Sequence, residues 1–401
     1  MPKSRKRRPK RSRRDDRISQ RRAHQPLPDA ETYARDIALL QAADEAERRG
    51  DAMEALATMA AHPDALGFWR PWRIRALGQL AMFGPLLPRW ATSRWILAQA
   101  LQHLGEPGGA PTRRAQRALD QAIELRGGRA RLPGKDPIDA VCRVMDHDWA
   151  FRQLHLYELG GLRYFLDRAA CPDLVAGADR IRDWARSPMG GFRLLARDAA
   201  TVTWQDLGRG DPVRTANIGS ATLVVPGECV IGRMVPIEAG MMFESAPLVV
   251  PEDLAVGVAL DPVSWLDALR ATPGGTTSPE LIPAGDGAGL LSDVPVRVWL
   301  PAVCEAGGLT DLASVPTPEQ LATATLTVAR AALGGSWRPE AEDLDPWPCL
   351  AAALLTQPIA EALLRTVVAA DREVLGRLGE LLAEPAASWC RRLADPLPEA
   401  A

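Results

Sequence analysis

The sequence predicts a mostly α protein with a small β-barrel insertion. In this α+β arrangement, helical domains flank a five- to six-stranded SH3-like or OB-like barrel. Three observations carry the prediction. Apolar residues recur at helical spacing over most of the chain. Between residues 200 and 251 the pattern changes to short β-prone runs separated by turn residues, and helical spacing returns after Pro251. Hydrophobic residues make up 47% of the 401, ample for buried cores and, by length, for two or three domains.

Taken in order, residues 1–26 form a basic tail. Twelve Lys and Arg fall within residues 1–22 against Asp15 and Asp16, a balance of about +10. The whole chain carries −2, so the remainder must carry about −12. A segment of this charge density buries too little apolar surface to fold and is predicted to be disordered. Lysine occurs only at Lys3, Lys6, Lys10 and Lys135, and asparagine only at Asn217. This bias toward Arg, Ala, Gly and Pro matches GC-rich codon usage, as in a high-GC bacterium.

Residues 27–199 read as a helical domain. Ala34, Ile37, Ala38, Leu40 and Ala42 begin the pattern; Gly50 fits a helix C′ position and Asp51 the N-cap of a second helix with Ala52, Ala55, Leu56 and Met59. This helix–Gly-Asp–helix stretch resembles one tetratricopeptide-type hairpin over about 35 residues, although the repeat does not recur at its period of about 34 residues. Further helices are predicted over 72–82, 88–105, 112–125, 137–169 with a break at Gly160-Gly161, 172–186 and 191–198. Trp69, Trp72, Trp90 and Trp95 are expected in the core.

Residues 200–251 form the predicted antiparallel barrel, with strands over 201–207, 213–217, 221–225, 229–235, 240–244 and 248–250. Gly208-Arg209-Gly210-Asp211, Gly219-Ser220 and Pro226-Gly227 supply the turns. The C-terminal helical region, 252–391, has helices over 252–257, 261–271, 317–334 and 350–385, the last interrupted at Pro358. Loops are predicted over 272–289 and 335–348. The alternation of Val294, Val296, Val298 and Leu300 suggests a strand over 293–303. Residues 392–401 are expected to fray.

The chemistry-bearing patterns are few. Cys142, Cys171, Cys229, Cys304, Cys349 and Cys390 show no ligand spacing, as expected of reduced cytoplasmic thiols. No run of 18 apolar residues occurs, and no apolar region follows the basic start, so neither a membrane span nor a signal peptide is expected. GxxxxGK[ST], GxGxxG and GxSxG motifs are absent, and no cofactor is expected. Arg209-Gly210-Asp211 matches an adhesion tripeptide, but a hairpin turn accounts for it.

The tail offers Arg5, Lys6, Arg7, Arg8, Lys10, Arg11, Arg13, Arg14, Arg17, Arg21 and Arg22 to phosphates. It has no aromatic residue before Tyr33, so binding to nucleic acid or ribonucleoprotein would be sequence-independent and salt-sensitive. A solubility role without a partner, or ribosome or nucleoid association, remains an alternative; an amphipathic membrane helix is disfavoured because the tail has no apolar face. On the barrel face, Trp204, Arg214 and Arg233 are candidate contacts.

Asp146-His147-Asp148 is the most enzyme-like cluster, and Asp148 and His155, seven residues apart, share a helix face. His147-Asp148 resembles the His-Asp pair of the HD phosphohydrolases. That resemblance implies a metal held by His147 and Asp148, with His103 upstream and Asp167 or Asp173 downstream. The competing reading is a capping acid pair beside a satisfied histidine on an ordinary amphipathic helix. The favoured expectation is a non-enzymatic cytoplasmic binding protein with an unknown protein partner and a nucleic-acid-binding tail. The alternatives are the HD-type hydrolase and a structural or assembly protein.

Overall fold

The structure, a computed structural model, describes residues 30–62, 69–103, 105, 108–132, 136–272, 289–309, 315–337 and 344–395. The tail predicted over 1–26, residues 273–288 of the predicted loop and residues 396–401 lie outside them.

The first hairpin forms as its turn residues require. Helix α1 (Ala30–Arg48) ends at Gly50, whose φ of 83° is left-handed, and α2 (Ala52–Ala61) begins with Asp51 accepting a hydrogen bond from the Glu54 amide at 2.8 Å. Ala43, Ala46, Ala52, Ala55 and Met59 line the buried side. Next come α3 (Pro71–Phe83), α4 (Arg89–Gln102), α5 (Ala110–Leu125) and α6 (Pro137–His147). The long helix expected over 137–169 is cut twice. Asp148 ends α6 and caps α7 (Trp149–Gln153), which passes into a π-helical turn over Leu154–Glu158. Gly160, at φ 69°, then starts α8 (Gly161–Arg168), so the break expected at Gly160-Gly161 is present. A Cβ on Gly161 would crowd the His155 carbonyl, which makes glycine the residue that fits. Two short helices follow, α9 (Pro172–Gly177) and α10 (Ile181–Trp184).

The β region is larger than expected and does not close as a barrel. It is a curled, mixed half-barrel sheet of seven strands in the order β5-β6-β3-β2-β1-β4-β7. The strands are β1 (Gly190–Arg197), β2 (Thr201–Asp206), β3 (Pro212–Ala216), β4 (Cys229–Gly232), β5 (Met234–Ile237), β6 (Gly240–Phe243) and β7 (Leu248–Val250). Two corrections concern its strands. Residues 191–198, expected as helix, lie mostly in β1, which pairs with both β2 and β4 and carries a bulge between Leu194 and Ala196. Residues 221–225, expected as a strand, form a turn held by bonds from the Thr222 amide to Gly219 and from the Val224 amide to Ala221. The sheet is not wholly antiparallel either, because β3 and β6 pair in parallel at Thr215 and Met241.

The sheet's alternation distributes its side chains between two cores. Val230 joins Phe192, Leu194, Trp204 and Phe243 inside the curl, while its neighbours Cys229 and Ile231 face a core shared with α5, α6 and α11 (Glu252–Leu260). Gly191 lies so close to α11 that a Cβ there would overlap the Ala255 carbonyl.

Beyond α11 come α12 (Trp265–Ala271), α13 (Val296–Ala306), α14 (Pro318–Leu333), α15 (Pro346–Leu354), α16 (Gln357–Thr366), α17 (Arg372–Leu381) and α18 (Ala386–Ala394). The strand expected over 293–303 is α13. Its alternating Val296, Val298 and Leu300 are half-buried, while Trp299, Ala302 and Val303 supply the buried helical face. Of the predicted loop 335–348, residues 338–343 lie outside the described residues, and 346–348 are helical, because Asp345 caps α15 through the Trp347 amide. One hydrophobic core runs from Ala43 to Ala394 and so joins the helices before and after the sheet. Among the described residues no single helix is long and apolar enough to cross a membrane.

Candidate functional site

Asp146, His147 and Asp148 occupy the corner between α6 and α7. The corner exists because Asp148 has two jobs: its amide closes α6 on the Val144 carbonyl at 3.0 Å, and its carboxylate accepts from the Phe151 amide at 2.7 Å to start α7. The second carboxylate oxygen meets Arg126 in an ion pair buried on both sides. Burial pushes the Asp148 carboxyl above its usual value, against Arg126 and the capping amides.

The corner opens on a cleft of about 220 Å³. Trp72, Arg94 and Leu101 of α3 and α4 form one side, Glu244–Ala246 after β6 a second, and Leu290 and Asp293 a third. Its lining is mostly apolar with a few convergent polar groups, the usual make-up of a small-molecule site. Four carboxylates line it among the described residues, and each faces a guanidinium from a different segment. Asp146 pairs with Arg70 at 3.3 Å, Asp148 with Arg126, Glu244 with Arg152 at 2.8 Å, and Asp293 with Arg94 at 3.0 Å. The cleft is therefore close to charge-balanced, with the half-buried His147 in addition.

Burial and pairing compete differently at each acid. Burial raises the Asp146 and Asp293 carboxyls despite Arg70 and Arg94. At Glu244 burial also pushes upward, but Arg152 and hydrogen bonds from Ser245 and Gln153 outweigh it and leave the carboxyl below its ordinary value.

A polar chain continues from Glu244 through the buried Gln153 and Arg233 to the exposed Glu158. Gln153 donates to Glu244 at 2.6 Å and accepts from Arg233 Nε at 2.9 Å. Arg233 also donates to the Ser187 carbonyl at 2.6 Å, pairs with Glu158 and lies 4.5 Å from the Tyr157 ring centre. Glu158 accepts from the Trp265 indole at 2.9 Å. Burial, then Glu244, lifts the Tyr157 phenol well above its ordinary range. The π turn places Tyr157 and Glu158 on this chain and turns His155 the other way, stacked on Phe151 at 5.6 Å. Burial pushes the His155 pKa down to about 4, against the opposing pull of the main chain at Ala100, toward which the ring would donate.

The remaining candidates are scattered. His103 stacks against Tyr164 and meets Phe165 edge-on at 5.4 Å, and burial lowers its pKa. Asp167 pairs with Arg182 at 3.1 Å, and Asp173 is exposed in α9. Among the described residues no group of three His, Cys, Asp or Glu could hold a metal ion, so the ligand set of the HD family is not assembled. His147-Asp148 instead builds the corner of the cleft.

Two of the three expected barrel-face residues are internal. Trp204 is fully buried inside the curl, edge-on to Phe243 at 5.2 Å and bonded to the Thr215 hydroxyl at 3.2 Å. Arg233 is buried in the polar chain described above, and Arg214 is exposed on β3. Trp69, Trp90 and Trp95 are buried as expected, whereas Trp72 is half-buried at the cleft. Arg209-Gly210-Asp211 sits in the β2–β3 turn, where Gly210 has a φ of 80°. The phosphate-binding candidates Arg5 to Arg22 lie outside the described residues.

Arg94, Arg152, Glu244 and Asp293 were missed by sequence reasoning. A partial signal exists: Arg94 stands one turn after Trp90 on a helix face that is otherwise buried, and Glu244 directly follows the apolar run Met241-Met242-Phe243. Comparison of the chain with protein families, with curated proteins and with solved structures gives no match.

Proposed function

We propose that this chain is a binding protein that attaches to nucleic-acid phosphates through residues 1–22, without reading base sequence. The observation that carries the reading is the separation of charge: about +10 in those residues against about −12 in the rest. Within the folded body, four arginines are withdrawn from solvent. Arg73, Arg94, Arg126 and Arg233 are all buried, and each is paired with a carboxylate. Cationic groups consumed in this way are not available to phosphates. In this reading phosphate affinity belongs to the first 22 residues, where cationic groups are densest, and it acts by counterion release.

The test is fluorescence anisotropy with a duplex DNA and a single-stranded RNA of unrelated sequences, at 50 and 200 mM salt. Neutralising six or more phosphates lowers affinity by about a thousandfold or more over that range, with little difference between sequences. Removing residues 1–26 is expected to abolish binding and its salt slope. Binding that survives the deletion with its slope intact refutes the proposal.

A further inference from the structure

The cleft at Asp146–Asp148 is independent of the tail, and its chemistry selects a different kind of ligand. We infer that it binds a small zwitterion, an α-amino acid with an apolar side chain. Charge balance is the first argument. Each carboxylate of the cleft already faces a guanidinium, so a ligand with net charge would leave one charge uncompensated. A net-neutral ligand leaves none.

Exposure then shows which groups a ligand can meet. The side chains of Arg94, Asp148, Glu244 and Asp293 are at most 6% exposed, but Asp146 keeps 17% and Arg152 keeps 24%. Among the described ion-paired residues the cleft thus offers one open anion, on α6, and one open cation, on α7. An ammonium at Asp146 with a carboxylate at Arg152 uses both.

The remaining wall, with Trp72, Ala98, Leu101, Met145 and Leu290, suits an apolar side chain. Size agrees. An apolar cavity of about 150 Å³ holds benzene, and the cleft offers about 220 Å³, room for such a ring and a short polar head.

Isothermal titration of the full chain with L-phenylalanine is the test, with phenylacetate and 2-phenylethylamine as analogues that carry one charge each. Phenylalanine should bind at least about tenfold more tightly than either analogue. Asp146→Asn should weaken phenylalanine about tenfold while leaving phenylacetate unchanged. Ala246→Trp, which fills the mouth of the cleft, should abolish binding. Circular dichroism checks that each variant folds. If Asp146→Asn does not fold, the analogue series and Ala246→Trp still decide. The inference fails if phenylalanine, leucine and methionine give no saturable heat up to about 10 mM. It fails equally if phenylacetate matches phenylalanine, or if Ala246→Trp binds as the parent does.

Discussion

The solvent face of the first helical hairpin and the junction around the cleft place their polar residues in opposite ways. On that face the polar contacts are local and wet, whereas on the buried side Glu47 pairs with the remote, buried Arg73. Asp51 caps the Glu54 amide, Arg48 pairs with Glu45 at 2.6 Å and Arg49 with Glu54 at 2.5 Å, with all four of these ion-paired side chains at least a third exposed. At the junction the partners are remote and buried: Arg126 lies 22 residues from Asp148, Arg152 92 from Glu244 and Arg94 199 from Asp293. Exposed pairs contribute little and are easily exchanged. Buried pairs are costly to desolvate and costly to break, so they tie one arrangement of distant segments together rather than add stability.

Four measurements of unfolding can sharpen or break this contrast. The largest effect is expected from Gly191→Ala, which forces a methyl group into the Ala255 carbonyl and so pushes β1 off α11. A loss of about 4 kcal/mol, or failure to fold, is expected. Gly78→Ala is its control. There the obstacle is the amide end of the Gln357 side chain, which can turn away, so the cost should stay below about 1 kcal/mol. Equal urea midpoints for the two variants would mean that the sheet and α11 can slide apart freely.

Next comes Glu244→Gln, which keeps shape but leaves Arg152 and the polar chain without their anion. About 3 kcal/mol is expected, at the low end for a broken buried pair because the Arg152 side chain is partly open to the cleft. Changing Arg152 to Met in the same chain should recover part of that loss. No recovery would place the damage elsewhere than in the unpaired charge.

His155 supplies the third effect. Its pKa falls from 6.5 to about 4, so between those values the folded protein holds fewer protons than the unfolded chain. The corresponding stability is complete above pH 6.5 and is lost as the pH falls toward 4, up to about 3 kcal/mol. His103 adds a smaller change of the same sign. His155→Leu should flatten the fall in urea midpoint between pH 6.5 and 4 relative to the parent. An identical slope in both chains would remove His155 as the cause.

The smallest effect belongs to the hairpin. Asp51→Ala removes one exposed cap and should cost about 1 kcal/mol. If it cost as much as Glu244→Gln, the distinction between local and junction polar groups would collapse.

What could be read in advance follows the same division. Gly50 and Asp51, the Gly160 break and the Gly210 turn were legible because each is decided by backbone conformation within a few residues. The region of short strands was visible from its spacing, but its limits were not. Phe192 and Leu194 fit either period over so short a run, and pairing with β2 and β4 settled the matter. Val296, Val298 and Leu300 alternate as a strand would, yet Pro295 and the buried face of Trp299, Ala302 and Val303 place them in a helix. Asp146-His147-Asp148 stood out as a cluster, but its role depended on Arg126, Arg70 and the distant Glu244 and Asp293.

The sequence by itself determined the helical character of the chain, the position of its β region, the caps and turns, and the opposition of a basic start to an acidic remainder. These depend on side-chain type and on neighbours three or four residues away. Only the tertiary structure decided that the sheet curls without closing, that Trp204 and Arg233 point inward, and that four ion pairs frame one cleft. Those outcomes depend on which segments exclude water from each other. Burial turns a charge that is inexpensive in solvent into one that must find a partner, however far along the chain that partner lies.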